Sequence, residues 1–111
     1  MNKPEDDIRE SLLNTLHFLA SEEEQQEFAK KVYYDTYHDE FACWWFDTFF
    51  PEDHIFNKVQ ISILVEFSEI FDTNLDLIED NKQTIEQLQK QPEWQKIVAS
   101  AKNACEKLKK T

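Results

Sequence analysis

The chain has 111 residues, 23 Asp and Glu against 12 Lys and Arg, a formal net charge of −11 and no glycine. A mass of 13.3 kDa allows one hydrophobic core, so we expect a single helical domain over residues 1–111. The lack of glycine excludes a Walker phosphate loop, a dinucleotide-binding turn and a nucleophile elbow, because each needs a residue without a side chain at a sharp turn or beside phosphate.

The first predicted helix covers about residues 4–20, with Pro4 in its first turn and apolar residues at helical spacing: Ile8, Leu12, Leu16 and Leu19. Ser21 and Glu24 have the spacing of a capping box, which predicts that a second helix begins there. This helix continues, or bends near Asp39, as far as residue 50, because Pro51 disfavours helical geometry in the residue before it.

The second half of the chain predicts three more helices. A long central helix at about residues 54–72 follows Asp53, which can cap it. A short helix opens at Asn81 or at Thr84, the latter forming a second capping box with Gln87, and the last helix has Pro92 at its first position. About five helices and no convincing strand predict an all-α bundle.

Charge is distributed unevenly along the chain. Residues 1–57 hold 14 acids and 4 bases, residues 58–80 hold 6 and 1, and residues 81–111 hold 3 and 7. Such a field repels nucleic acid and anionic lipid surfaces, so it favours a basic protein as the partner, with no direct nucleic-acid or membrane binding. The alternative is that the acidity only keeps the domain soluble. The acidic cluster at residues 22–27 is typical of a helix N-terminus with a solvated face.

Catalytic and metal-binding patterns are weak. Asp35 and His38 have the spacing of half a helical di-metal site, but no second half exists, and His38, Cys43 and His54 match no structural zinc pattern. Two cysteines, Cys43 and Cys105, are too few for a disulfide scaffold, so both are expected to be reduced and buried. We therefore expect no enzyme activity, no metal and no cofactor.

Residues 33–50 contain nine of the fifteen aromatic residues, interleaved with carboxylates. Helical spacing directs three rings inward: Phe41, Trp45 and Phe49. A second stripe, at spacings of three and four, contains Tyr37, Glu40, Trp44 and Asp47. Exposed Trp and Tyr rimmed by carboxylates suit recognition of a basic protein. Packing of Trp44 wholly inside the bundle is the other interpretation, and Tyr34 and Tyr37 are expected to be more exposed than Trp44.

Three segments carry a resemblance to a known class of proteins: residues 18–28 (FLASEEEQQEF), 39–46 (DEFACWWF) and 94–98 (WQKIV). In an acidic helical chain they resemble the immunity proteins of bacterial toxin systems, those of contact-dependent growth inhibition and of colicins, particularly the helical colicin D kind. The N-terminus is polar and no uninterrupted apolar run approaches the ~18 residues that span a bilayer, so we expect a cytoplasmic protein. The resemblance implies a bacterial protein that binds the toxin domain of its own lineage, commonly a nuclease, and blocks its active site. Interface residues vary widely in that family, so none transfers by position.

The sequence thus predicts an immunity protein that covers the basic active-site surface of a toxin. The alternative is an acidic DNA mimic of the anti-restriction type. The residues expected to bind the partner are Tyr34, Asp35, Tyr37, Asp39, Glu40, Trp44, Asp47, Glu52 and Asp53.

Overall fold

The computed structural model describes residues 3–49, 52–79 and 82–111, with side chains from Asp6 onward. These residues form six helices and no strand, which confirms the all-α prediction. In chain order the helices are α1 (Lys3–Leu19), α2 (Glu22–Lys31), α3 (Tyr37–Thr48), α4 (Lys58–Leu75), α5 (Ile85–Gln89) and α6 (Pro92–Lys109). None of them is both long and apolar enough to cross a membrane.

The predicted start signals are present at α2, α5 and α6. At α2 only half of the predicted capping box forms: the Ser21 hydroxyl accepts from the Glu24 amide, while the Ser21 amide donates to the Phe18 carbonyl and not to Glu24. Thr84 and Gln87 form both bonds of a capping box, and Pro92 occupies the first turn of α6. Each signal satisfies or removes a backbone N–H that has no partner within its helix. The boundaries therefore follow from local chemistry.

The described residues form six helices where about five were predicted, because the second predicted helix is two helices, α2 and α3. The chain is extended between them, at residues 32–36, and not near Asp39 where a bend was expected. Val32 and Thr36, the two residues that bound this connector, have extended backbones, and both are β-branched. A long-range bond from the Gln83 amide to the Asp35 carbonyl, 3.1 Å, replaces helical hydrogen bonding here.

The central helix also differs from its predicted bounds of 54–72. It begins at Lys58, because Asn57 and Gln60 form a complete capping box, and it extends to Leu75. Asp53, the predicted cap, lies in the turn before it. Asn57, paired with a glutamine three residues later, is the cap that sets this boundary.

The hydrophobic core takes buried residues from α1, α3, α4, α5 and α6, and the largest helix–helix contact is between α4 and α6. Trp94 from α6, Phe41 from α3 and Phe71 from α4 are all fully buried there. The Trp94 ring lies 6.0 Å from Phe41 and 6.3 Å from Phe71, centroid to centroid. Trp94 thereby packs against a ring of α3 and a ring of α4 at the same time.

A buried polar network fixes α2 against α5 and α6. Gln25 is inaccessible to solvent, and its Oε1 accepts hydrogen bonds from Trp94 Nε1 (3.1 Å) and Gln89 Nε2 (3.2 Å). Its Nε2 donates to the carbonyls of Phe18 and Leu19, both at 3.1 Å. All four bonds of one amide side chain are therefore made inside the bundle.

We expect Gln25→Leu to lower the free energy of unfolding by about 2–3 kcal/mol, because leucine keeps most of the volume and leaves the Trp94 indole N–H buried without its acceptor. Urea denaturation followed by circular dichroism measures this. Gln26→Leu is the matched control, since Gln26 is exposed and makes one bond, to Gln89 Oε1, and it should cost about 1 kcal/mol or less. Equal losses in the two variants would contradict the role assigned to Gln25.

Candidate partner-binding surface

Four half-buried aromatic rings form a continuous surface cluster over Phe41. Phe41 itself is fully buried, and its centroid lies 5.0 Å from that of Phe18 and 5.2 Å from that of Trp44. We call the four half-buried rings the aromatic patch: Phe18, Phe28, Tyr34 and Trp44. They come from α1, α2, the connector at residues 32–36 and α3, so the patch exists only when these elements are packed together.

Trp44 is the central ring of this patch. It meets Phe28 edge to face at 4.9 Å and Phe18 at 5.5 Å. These contacts hold the indole in place without covering it, since Trp44 is only half-buried. Packing of Trp44 wholly inside the bundle is thereby excluded.

The three tryptophans differ in how the indole N–H is used. Trp45 donates to Ser68 Oγ at 3.1 Å and Trp94 donates to Gln25 Oε1 at 3.1 Å, both inside the core. Within the described ranges the indole N–H of Trp44 has no hydrogen-bond acceptor in the protein, and it is accessible to solvent. Trp44 can therefore offer a partner both apolar area and a hydrogen-bond donor.

Tyr37 is not on the surface, so its predicted place on the exposed stripe with Trp44 is wrong. Its ring is 4% exposed, and its hydroxyl donates to the Val32 carbonyl at 3.1 Å. The reason is tertiary packing: α3 contacts α5, and Tyr37 lies beside Ala29 of α2 and Ile85 of α5. Tyr34 keeps the expected partial exposure and stacks on Phe28, with centroids 6.0 Å apart.

Three of the predicted carboxylates already have a partner within the chain. Asp35 accepts from the Tyr33 hydroxyl at 2.7 Å and lies 3.6 Å from Lys82 Nζ; Tyr33 and Asp35 together raise the pKa of Lys82. The other two pairs join a carboxylate to a histidine: Asp39 with His38, 3.5 Å, and Glu52 with His54, 3.4 Å. The carboxylate of each pair is exposed, so each pair contributes little to stability. A cation of the partner can therefore replace the histidine or lysine beside the carboxylate.

The remaining predicted carboxylates have no cation near them in the part of the chain that the structure describes. Asp47 and Asp53 are exposed and Glu40 is half-buried, one turn before Trp44 on α3. The structure thus brings Glu40 and Asp47 onto the Trp44 side of α3. Asp53 belongs to the turn before α4 and not to α3.

The structure adds residues that the sequence did not indicate as part of this surface. Phe18 joins the patch from α1, and Asp7 lines a groove with Asp47. Phe18 is an aromatic residue that lies beside the apolar stripe of α1 and not on it. An aromatic residue in that position was the sequence feature that could have indicated a surface contact. Nothing local marks Asp7, because its approach to α3 depends on how the helices pack.

The cysteines are only partly as expected. Both are free thiols and Cys105 is buried, but Cys43 is exposed on the outer side of α3. Within the described ranges, no group of three or more His, Cys, Asp or Glu side chains is placed to hold a metal ion.

The two thiols should differ in reactivity. Burial raises the pKa of the Cys105 thiol above its ordinary value of 9.0. Two smaller effects oppose each other: Lys109 lowers this pKa and Glu106 raises it. At pH 7.5 we expect Ellman's reagent to modify Cys43 at least tenfold faster than Cys105, and Cys43→Ser to remove only the fast phase.

The same shift in the Cys105 pKa affects stability at high pH. As the pH rises, the thiol ionises in the unfolded chain at a lower pH than in the folded protein. The contribution of the buried, neutral thiol to the free energy of unfolding is therefore complete below about pH 9, and it is lost as the pH rises through the folded pKa. Equal modification rates for the two thiols in the native protein would contradict the burial of Cys105.

Comparison with protein-family models, curated proteins and solved structures finds no match to this chain.

Proposed function

We propose that this protein is an immunity protein, which binds the toxin domain of its own lineage and neutralises it by covering a basic active-site surface. The proposal takes the partner to be a nuclease, since an enzyme that holds nucleic acid needs a basic surface. It assigns no catalytic activity and no cofactor to the chain itself.

The observation that carries the proposal is the half-buried Trp44, supported by aromatic rings and flanked by carboxylates without a cation. Tryptophan is enriched at binding hot spots, and a ring held in place by its neighbours loses little conformational entropy when a partner covers it. Glu40 and Asp47, on the same side of α3, supply the negative charge. The ring thus provides affinity, and the carboxylates provide fast association and specificity for a basic partner.

Charge supports a protein partner more than nucleic acid. The net charge of −11 accelerates encounter with a basic protein and repels phosphate. The first 57 residues contain only four bases, and Arg9 among them is occupied, because its Nε donates to the Ile55 carbonyl at 3.0 Å and its guanidinium lies over the Phe56 ring.

The experiment that tests the proposal is coexpression with the protein encoded by the reading frame immediately upstream. We expect a basic toxin domain that copurifies at a fixed stoichiometry, loses its activity in the complex and associates more slowly as salt rises. A broad-specificity DNA-binding enzyme serves as the comparison. Inhibition of both enzymes would favour the DNA-mimic alternative, and a neighbouring toxin that is unaffected by the protein would contradict the proposal.

A further inference from the structure

A groove of about 200 Å³ lies between α1 and α3, and five residues line it: Asp7, Ile8, Ser11, Asp47 and Thr48. The two helices run antiparallel, since Thr15 lies beside Thr48 (3.5 Å between hydroxyl oxygens) while Phe18 lies beside Trp44. The groove therefore continues the aromatic patch towards the N-terminal end of α1.

The groove combines an apolar wall with hydrogen-bond acceptors. Ile8 is half-buried, whereas Asp7 and Asp47 are exposed, one on each helix. The Thr48 hydroxyl donates within α3, to the Trp44 carbonyl at 2.9 Å, which leaves its oxygen lone pairs as acceptors. The two acidic residues of this groove can only accept hydrogen bonds when ionised, and none of its five lining residues is positively charged.

The nearest base in sequence does not neutralise these carboxylates. Arg9 is two residues from Asp7, but its side chain is turned to the Ile55 carbonyl and the Phe56 ring. Among the side chains that the structure describes, which begin at Asp6, neither Asp7 nor Asp47 has a cationic partner. Two carboxylates facing one groove without a cation are complementary to a positively charged side chain.

We propose that this groove receives an arginine side chain of the basic protein partner, an inference that rests on the proposed function. A guanidinium is planar, carries five N–H donors and is more weakly hydrated than an ammonium group, so it can lie on Ile8 while it donates to Asp7 and Asp47. Lysine presents a compact, strongly hydrated charge that matches one carboxylate at a time. The groove therefore selects arginine over lysine.

The first test uses the full chain, labelled with ¹⁵N, and a capped hexapeptide of alternating arginine and glycine as the probe. We expect amide shifts concentrated at residues 7–11 and 47–48, and binding at least threefold weaker for the peptide with lysine in place of arginine. Asp7→Asn with Asp47→Asn should weaken arginine-peptide binding about fivefold to tenfold. The control pair Glu69→Gln with Asp72→Asn removes the same charge from exposed, unpaired positions of α4 and should change binding less than twofold.

Shifts spread over every acidic helix, equal affinity for the two peptides, or equal losses in the two double variants would overturn the arginine site. The complex with the upstream toxin separates this inference from the proposed function. Toxin binding that is lost with Trp44→Ala but unchanged in the Asp7 and Asp47 double variant would remove the arginine site and leave the proposed function in place. Failure of the unaltered protein to bind the toxin would remove the proposed function itself.

Discussion

Replacement of Trp45 by alanine is expected to lower the free energy of unfolding by about 4 kcal/mol. The Trp45 ring is fully buried, meets Phe67 edge to face at 4.9 Å and stacks on Phe49 at 5.2 Å. Alanine leaves a cavity that a rigid bundle fills only in part, and it removes the donor that bonds Ser68 Oγ inside the core. Because a domain of this size is stable by only about 5–15 kcal/mol, urea denaturation will show a large shift in midpoint.

The adjacent tryptophan provides the control for this experiment. Trp44 is half-buried, so Trp44→Ala should lower the free energy of unfolding by only ~1–2 kcal/mol. Trp45→Phe keeps an aromatic ring but loses the N–H, and it should fall between the two alanine variants. If both alanine variants lost the same stability, the assignment of one ring to the core and one to the surface would be wrong.

Trp44→Ala should weaken the complex with the cognate toxin by ~2 kcal/mol or more, a factor of about 30 in the dissociation constant. The ring has Phe18, Phe28 and Phe41 around its inner side, so a partner that covers its outer side buries it completely. Truncation also removes the indole N–H, which has no acceptor in the part of the chain that the structure describes. Isothermal titration calorimetry with the purified toxin domain measures the change.

Phe46→Ala is the matched control for the binding experiment. Phe46 is another exposed aromatic residue of α3, 43% accessible, but it stacks on Phe71 of α4 and lies outside the aromatic patch. Its loss should leave toxin affinity within about twofold. A Trp44 variant that binds as tightly as the unaltered protein would assign this ring a structural role only, whatever its effect on stability.

Salt dependence should separate the contribution of the ring from that of the carboxylates. Raising the ionic strength from about 0.05 M to 0.5 M screens charges over a few ångströms, so it should slow association while leaving the Trp44 contribution almost unchanged. The carboxylates that already have histidine or lysine partners, such as Asp35 with Lys82, should contribute least to this salt effect.

Parts of the fold could be predicted from local sequence because their causes are local. Thr84 and Gln87 form the predicted capping box, and Pro92 begins α6 where a missing N–H carries no penalty. The inward positions of Phe41 and Trp45 follow from the helical period, and both are fully buried. These features depend on residues three or four positions apart, which the sequence displays directly.

The candidate surface could be predicted only in part. Trp44, Glu40 and Asp47 were indicated by their shared stripe on one helix, and they do lie on one side of α3. Tyr37 belongs to the same stripe and is nevertheless buried, because it packs against α2 and α5. A periodic pattern identifies which residues share a face and leaves open which element covers that face.

The sequence by itself determined the helical class, most helix starts and the excess of negative charge, since composition and short-range hydrogen bonding decide all three. Only the tertiary structure decided that α2 and α3 are separate, that Phe18 supports Trp44, and that Asp7 and Asp47 line one groove. These outcomes require contacts between residues far apart in the chain, such as the Gln83 amide with the Asp35 carbonyl. Such contacts form when apolar area is buried between whole helices, and a short stretch of sequence does not indicate which helices will pack together.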